Sequence, residues 1–167
     1  MSTDSSLEAR LTRLEDIEAI KRVMVRYAEA MDNNFDEETI GSCFTEDARW
    51  SIQPSTPASG TYNGREEIRE FFAGLRSVYS WTMHNLDNAA VDVAEDGNSA
   101  VGTWYLVDPC EILDEATGEP QAAFVSGRYQ NRFAKIDGRW YIKELSAVIH
   151  NASSWDEGWI RKPLLGT

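Results

Sequence analysis

The chain has 167 residues, 42% of them apolar, and its 28 acidic and 16 basic side chains give a net charge of −12. This length predicts a single domain over 1–167, since single domains commonly run to about 100–200 residues. The acidic balance excludes a nucleic-acid-binding surface, which needs a basic patch, and two cysteines and two histidines are too few for a typical zinc site, so no metal is expected.

The first predicted element is an amphipathic helix that ends near Asp32. Its apolar residues recur at three- and four-residue spacing, at Leu7, Leu11, Leu14, Ile17, Ile20, Met24, Tyr27 and Met31. Thr12 and Glu15 fit a capping box, which predicts an N-terminal arm over 1–13 before the main helix. The two asparagines after Asp32 tolerate left-handed backbone, so we expect the helix to end there.

Shorter helices and a meander of strands follow. The predicted elements are a helix at 36–44, a strand at 48–52, a Pro/Ser/Gly loop at 54–60, a helix at 64–75, and strands at 82–94, 100–113, 122–136 and 140–151. Asp96-Gly97 and Asp137-Gly138 are typical of hairpin turns, whose central residues need positive φ. Residues 151–167 form a tail that either closes the core, covers a pocket or packs on another subunit.

Helices followed by long antiparallel strands predict an α+β domain with its helices on one face of the sheet. A strongly curved sheet folded over helices makes a cone with an apolar interior. Small molecules bind in such concavities where a few polar groups converge. The functional question is therefore which polar side chains face the interior.

His84 is the first polar residue expected inside the cone. It lies early in a predicted strand among large apolar neighbours. It is either a catalytic base or a core histidine hydrogen-bonded to a backbone carbonyl. Val91 and Val93 differ in strand parity from Leu86, which predicts a β-bulge between them.

Asp32 and Tyr27 are the other two candidates. If Asp32 faces inward, it needs a partner such as an imidazole. An Asp-His pair fixes the tautomer of the histidine and raises its basicity. The alternative is that Asp32 is an exposed cap residue. Tyr27 either donates a hydrogen bond to a carbonyl or leaving hydroxyl, or is a core aromatic. Residues five apart on a helix point in directions roughly 140° apart, so the side chains of Tyr27 and Asp32 reach the same pocket only where the helix ends or the pocket wraps around it.

No other motif indicates catalysis or an anchored protein. The sequence has no Gly-x-Ser-x-Gly elbow, phosphate-binding Gly-Lys loop or dinucleotide fingerprint, so no cofactor is expected. Cys43 is interpreted as a packed thiol, and His150 has no neighbouring metal ligand. No apolar run approaches the roughly 18 residues that span a bilayer, and the polar start at 1–6 is unlike a signal peptide. We expect a cytoplasmic protein without membrane contact.

Several short runs along 14–150 resemble a known family. They are Ile20-Lys21-Arg22, Arg26-Tyr27-Ala28, Ala30-Met31-Asp32, Cys43-Phe44-Thr45-Glu46-Asp47-Ala48-Arg49-Trp50, Gly60-Thr61-Tyr62-Asn63-Gly64-Arg65-Glu66-Glu67-Ile68, Met83-His84-Asn85-Leu86, Gly127-Arg128-Tyr129 and Asp137-Gly138-Arg139-Trp140. Their order and spacing are similar to SnoaL-like domains of the nuclear-transport-factor-2-like superfamily. The pattern most resembles the branch with scytalone dehydratase, hexachlorocyclohexane dehydrochlorinase and bile acid 7α-dehydratase.

The resemblance implies a cystatin-like, cone-shaped α+β barrel, with a curved mixed or antiparallel sheet wrapped around N-terminal helices, and cofactor-free elimination by an Asp-His dyad. The dyad of the family falls on Asp32 and His84, the tyrosine of the bile-acid enzyme on Tyr27, and a pocket tryptophan on Trp50. An arginine that lines the dehydrochlorinase pocket is replaced by Leu145, which argues against an anion pocket. The resemblance also implies a homo-oligomer, a trimer being favoured over a dimer.

The working hypothesis is a lyase of the dehydratase type, or an isomerase, acting on a small apolar cyclic or steroid-like hydroxy compound. Neutral His84 removes a proton, Asp32 orients the ring and Tyr27 hydrogen-bonds the developing oxyanion or leaving hydroxyl. The expected substrate pocket is lined by Trp50, Tyr79, Trp81, Met83, Trp104, Leu106, Phe124 and Leu145. The alternative is a non-catalytic subunit or binding module of the same fold, such as a dioxygenase small subunit.

Overall fold

The computed structural model describes residues 3–53, 59–114 and 116–164. The helices are α1 (Thr3–Asp32), α2 (Glu37–Ser42), α3 (Arg65–Leu75) and α4 (Gly158–Arg161). The strands are β1 (Phe44–Gln53), β2 (Gly60–Asn63), β3 (Tyr79–Thr82), β4 (Asn85–Val93), β5 (Ser99–Leu113), β6 (Pro120–Ile136) and β7 (Arg139–Ser154). Within the described ranges, no helix is both long and apolar enough to span a bilayer. Most of the predicted loop at 54–60 lies outside the described residues.

All seven strands form one mixed sheet in the order β2-β1-β7-β6-β5-β3, and β4 also pairs with β5. The β1–β7 pairing is parallel, and the other neighbours are antiparallel. Buried and exposed residues alternate along β5, β6 and β7, as expected for strands with one face on the core. That face packs with residues of α1 and α3 in a single apolar core. The predicted α+β architecture is confirmed.

Helix α1 is continuous for 30 residues, so the predicted break near Thr12 is wrong. Thr12 and Glu15 lie inside the helix, and the arm expected over 1–13 is helical from Thr3. No glycine or proline interrupts this stretch, and continuing the helix satisfies the backbone N–H groups that a capping box would otherwise bind.

The C-terminal end of α1 is closed by a reversed turn. Asn34 and Phe35 adopt positive φ angles of 54° and 50°, and the Phe35 N–H donates to the Met31 carbonyl at 3.0 Å. The Arg76 guanidinium donates to the carbonyls of Asn34 and Phe35, each at 2.9 Å. These bonds terminate the helix as predicted and hold Asp32 in its last turn.

The strand predicted at 82–94 is interrupted. Its first residue, Thr82, ends β3, and β4 begins only at Asn85; both strands pair with β5, and Met83 and His84 lie between them. The predicted bulge is confirmed in β4 by a register shift between Asp87 and Ala90, where Asn88 has a φ of 52°.

Candidate active site

A mainly apolar cavity lies between the inner face of the sheet and helices α1 and α3. Its polar lining residues are Tyr27, Tyr79, Thr82, His84, Asp108 and Tyr129, and no lysine or arginine is among its described lining residues. The cavity volume is about 60 Å³. The cavity is therefore suited to a small, neutral molecule.

Asp32 and His84 form a hydrogen-bonded pair at the edge of this cavity. His84 Nδ1 lies 2.7 Å from Asp32 Oδ1, and the side chain of His84 is only 9% exposed. His84 lines the cavity, whereas Asp32 is not among the residues that line it and borders a neighbouring groove instead. The carboxylate is therefore placed to orient the imidazole, and the imidazole to face a ligand.

The gap between β3 and β4 is what brings this pair together. The backbone N–H of His84 donates to both carboxylate oxygens of Asp32, at 3.0 and 3.1 Å. Thr82 Oγ1 donates to Asp32 Oδ1 at 3.2 Å. A carboxylate thus takes the place of a strand partner, because a backbone N–H that leaves the strand pairing still needs an acceptor.

A second carboxylate, Asp108 on β5, flanks the same histidine. Its Oδ2 lies 3.8 Å from His84 Nε2, and its Oδ1 accepts a hydrogen bond from the Met83 N–H at 3.2 Å. Asp108 is buried and was not among the predicted site residues. Its position carried a signal, since Asp108 has the same strand parity as Trp104 and Leu106, which were assigned inward.

The three groups shift each other's pKa values. Burial lowers the pKa of His84, but the charges of Asp108 and Asp32 outweigh it and raise that pKa above 6.5. Burial raises the pKa of Asp108, against the attraction of His84. Partial burial also opposes ionisation of Asp32, yet hydrogen bonds from His84 and Thr82 lower its pKa below 3.8. The surrounding groups therefore favour ionisation of Asp32, whereas burial opposes ionisation of Asp108.

Tyr27 lines the cavity from α1. Its hydroxyl accepts a hydrogen bond from Trp50 Nε1 at 2.9 Å, and no described protein group accepts the Tyr27 proton. Burial raises the pKa of Tyr27 far above 10 despite the Trp50 hydrogen bond, so the phenol stays protonated. Tyr27 and Asp32 do not converge directly, as their spacing on the helix warned; His84 connects Asp32 with the cavity.

The structure places three of the eight predicted pocket residues, Trp50, Tyr79 and Leu106, at the cavity wall. The prediction is corrected at the other five, which lie elsewhere: Trp81, Met83, Trp104, Phe124 and Leu145. In the described part of the chain, no three His, Cys, Asp or Glu side chains are grouped so as to hold a metal ion.

Strand alternation explains three of these corrections. Thr82 is buried, so Trp81 and Met83 on either side of it face outward and are 47% and 42% exposed. Val125 lines the cavity, so the adjacent Phe124 faces the opposite side, where it packs on Trp159 of α4 with ring centroids 5.6 Å apart.

The other two, Trp104 and Leu145, are buried beyond the cavity. Trp104 packs edge-on against Phe133 at 5.8 Å. Leu145 is fully buried and pairs with Trp50 and Asn131 on neighbouring strands. Parity correctly predicted that both face inward, but it does not predict how far along the cone the cavity extends.

Comparison with known proteins gives a family match and several structural neighbours. The sequence pattern of the SnoaL-like domain family matches residues 12–146. One solved structure, provisionally described as an aromatic ring hydroxylase from Novosphingobium aromaticivorans, is 28% identical, with a TM-score of 0.73 over 84% of this chain and 94% of that one.

Two further structures are described as those of elimination enzymes. A provisional scytalone dehydratase from Novosphingobium aromaticivorans is 21% identical, with a TM-score of 0.73 over 93% of this chain and 97% of that one. A hexachlorocyclohexane dehydrochlorinase, LinA type 2, is 19% identical, with a TM-score of 0.76 over 95% and 99%. Matches to proteins described as having a cystatin-like fold confirm the predicted fold class.

Proposed function

The chain belongs to the SnoaL-like domain family, and from that premise we propose that it is a cofactor-independent lyase that removes water from a small, neutral, cyclic hydroxy compound. The observation that carries this proposal is the 2.7 Å contact between Asp32 Oδ1 and His84 Nδ1, with the histidine facing an apolar cavity. The elimination reactions named for two of the structural neighbours support it.

His84 is the base in this proposal. With Nδ1 bound to Asp32, the neutral ring carries its proton on Nδ1 and presents the lone pair of Nε2 to a substrate. Nε2 takes a proton from the carbon next to a carbonyl, and the electron pair of that C–H bond forms an enolate. The negative charge of Asp32 stabilises the imidazolium produced.

His84 and Tyr27 complete the elimination. The enolate electrons re-form the carbonyl, a carbon–carbon double bond appears, and the carbon–oxygen bond of the leaving hydroxyl breaks. The proton taken up by His84 Nε2 passes to that hydroxyl and converts it into water; the charge of Asp108, whose Oδ2 lies 3.8 Å from Nε2, raises the pKa of the ring and so favours the first proton transfer. Tyr27, hydrogen-bonded by Trp50, donates a hydrogen bond to the oxygen on which charge develops.

The cavity narrows the substrate class. With no lysine or arginine among its described lining residues and Asp108 on its wall, it favours a neutral molecule. The cavity volume is about 60 Å³, so a single ring fits this cavity better than the fused rings of a steroid. Apolar walls also exclude water, which strengthens each electrostatic contact inside.

The proposal is tested with 3-hydroxycyclohexanone and a panel of related cyclic β-hydroxy ketones. Enone formation is followed by ultraviolet absorbance with wild type, His84→Gln, Asp32→Asn and His150→Gln. His150→Gln is the matched control, because this variant replaces the only other histidine of the chain, which is exposed. We expect turnover by wild type and His150→Gln and its loss in the two dyad variants. Equal turnover by all four would overturn the proposal.

An isomerase remains the second outcome of the same assay, since the dyad can return its proton to a different carbon. Movement of a double bond without release of water would identify it. The hydrogen-bonded pair facing a cavity favours an enzyme over the non-catalytic subunit, whose interior would need no such pair.

A further inference from the structure

Tyr129 on β6 places a hydroxyl in the cavity that the proposed reaction does not use. The residue is only 4% exposed and lines the cavity. Among the described residues, no group forms a hydrogen bond with its hydroxyl. A hydroxyl that faces an apolar cavity without a protein partner is free to bind a ligand oxygen there, and such a hydrogen bond strengthens binding roughly two- to tenfold.

Two other tyrosines line the same cavity but differ from Tyr129. The hydroxyl of Tyr27 already accepts a hydrogen bond from Trp50. Tyr79 lies at the rim, where it also borders the outer groove beside Asp32, so solvent can reach it from that side. Tyr129 alone of the three is enclosed without a protein partner among the described residues.

Tyr129 faces the same space as the dyad, although its backbone lies further along the sheet. Asp108 pairs across the sheet with Val125, and Tyr129 is four residues further along β6 on the same inward face, about 13 Å along the strand at roughly 3.3 Å per residue. The side chains of Tyr129, Asp108 and His84 nevertheless line one cavity, and Asp108 and Asp32 both raise the pKa of the Tyr129 hydroxyl.

The chemistry of Tyr129 is that of a neutral donor. Burial raises its pKa well above the usual value, and the nearby acidic groups of Tyr27 and Asp108 act in the same direction. The phenol therefore keeps its proton at working pH. It can donate to a carbonyl, ether or hydroxyl oxygen, whereas an anion would also meet the carboxylate of Asp108.

We propose that Tyr129 is a specificity-determining residue whose hydroxyl binds a neutral acceptor oxygen of the substrate inside the cavity. This inference rests on the proposed function only in calling the bound molecule a substrate, since the hydroxyl can bind a ligand whether or not the dyad is catalytic. It predicts that the preferred ligand carries an oxygen that accepts a hydrogen bond from Tyr129.

Binding of cyclohexanone and methylenecyclohexane tests this inference without turnover. The two molecules have nearly the same shape, but only the ketone accepts a hydrogen bond. We expect Tyr129→Phe to weaken cyclohexanone binding roughly two- to tenfold and to leave methylenecyclohexane binding unchanged. Tyr105→Phe is the matched control, because Tyr105 is 44% exposed and is not among the residues that line the cavity; the affinities for both ligands should stay near those of wild type.

A second measurement does not depend on a variant. In a crystal of the wild-type protein soaked with cyclohexanone, the inference predicts a carbonyl oxygen within hydrogen-bonding distance of Tyr129 Oη. An equal loss of affinity for both ligands in Tyr129→Phe, no loss for either, or a ketone oxygen bound elsewhere would each overturn it. Because every readout is binding, failure of the elimination assay leaves this inference standing, and its failure leaves the base role of His84 standing.

Discussion

Asp32 binds His84 twice, once through the ring and once through the backbone. Its Oδ1 lies 2.7 Å from Nδ1 of a residue 52 positions away, and both carboxylate oxygens accept the backbone N–H of the same residue. One side chain therefore holds both the position of the strand break and the orientation of the imidazole. A variant that keeps the backbone contact but loses the charge can therefore separate the contribution of Asp32 to catalysis from its contribution to the fold.

We predict that Asp32→Asn lowers kcat by about 10²-fold or more, because an amide still accepts the backbone N–H but cannot stabilise the imidazolium as an anion does. The protein should remain folded. The measurement is steady-state kinetics on a turned-over hydroxy ketone, with circular dichroism as the check on folding. A folded variant of wild-type activity would remove Asp32 from the mechanism.

The pH dependence should follow His84. Its pKa is raised above 6.5 by Asp108 and Asp32, in spite of burial, and only the neutral ring acts as a base. We therefore expect kcat/KM to fall about tenfold per pH unit below that pKa, with a midpoint on the alkaline side of 6.5. A profile that is flat from pH 5 to 8 would contradict the proposed base.

Asp108→Asn should lower the pKa of His84, because one of the two charges that raise it is removed while burial remains. The chain has only two histidines, so a proton NMR titration resolves both, and the exposed His150 provides the reference signal. An unchanged titration of His84 would show that Asp108 has no electrostatic effect on it.

Stability should depend on Asp32 in acid. Because its pKa is lowered in the folded state, its contribution to the free energy of unfolding is present above pH 3.8 and is lost as pH falls through the folded pKa. Urea denaturation of wild type and Asp32→Asn should give a difference that shrinks below pH 3.8. A constant difference across this range would contradict the shift.

Trp50→Phe should destabilise the fold by about 1–3 kcal/mol, since the buried Tyr27 hydroxyl loses its donor. Trp155→Phe is the matched control, because Trp155 is 66% exposed and its replacement should cost less than about 0.5 kcal/mol. Urea denaturation measures both variants. Equal small effects would mean that the Trp50–Tyr27 hydrogen bond contributes little.

The elements of the fold follow largely from local pattern. Alternation predicted β5, β6 and β7, and the Asp137-Gly138 pair predicted the hairpin between Ile136 and Arg139. The break at Met83–His84 was missed, because it depends on carboxylates supplied from α1 and β5. A periodicity within one segment carries no information about such a distant acceptor.

The residues of the site likewise include some that the sequence indicated and some that it misplaced. The contact between Asp32 and His84 was anticipated through the family resemblance, and their roles stay proposals. Asp108 and Tyr129 share the inward parity of their strands, so the sequence contained a signal for each. Trp81 and Met83 were misplaced because their size suggested burial, whereas their register relative to Thr82 turns them outward.

The most direct test of the base is hydrogen exchange at the α-carbon of cyclohexanone in deuterated buffer, followed by NMR. The account predicts that wild type and His150→Gln exchange these protons faster than buffer alone, and that folded His84→Gln does so no faster than buffer. Exchange at the wild-type rate by His84→Gln would contradict the claim that His84 removes the proton.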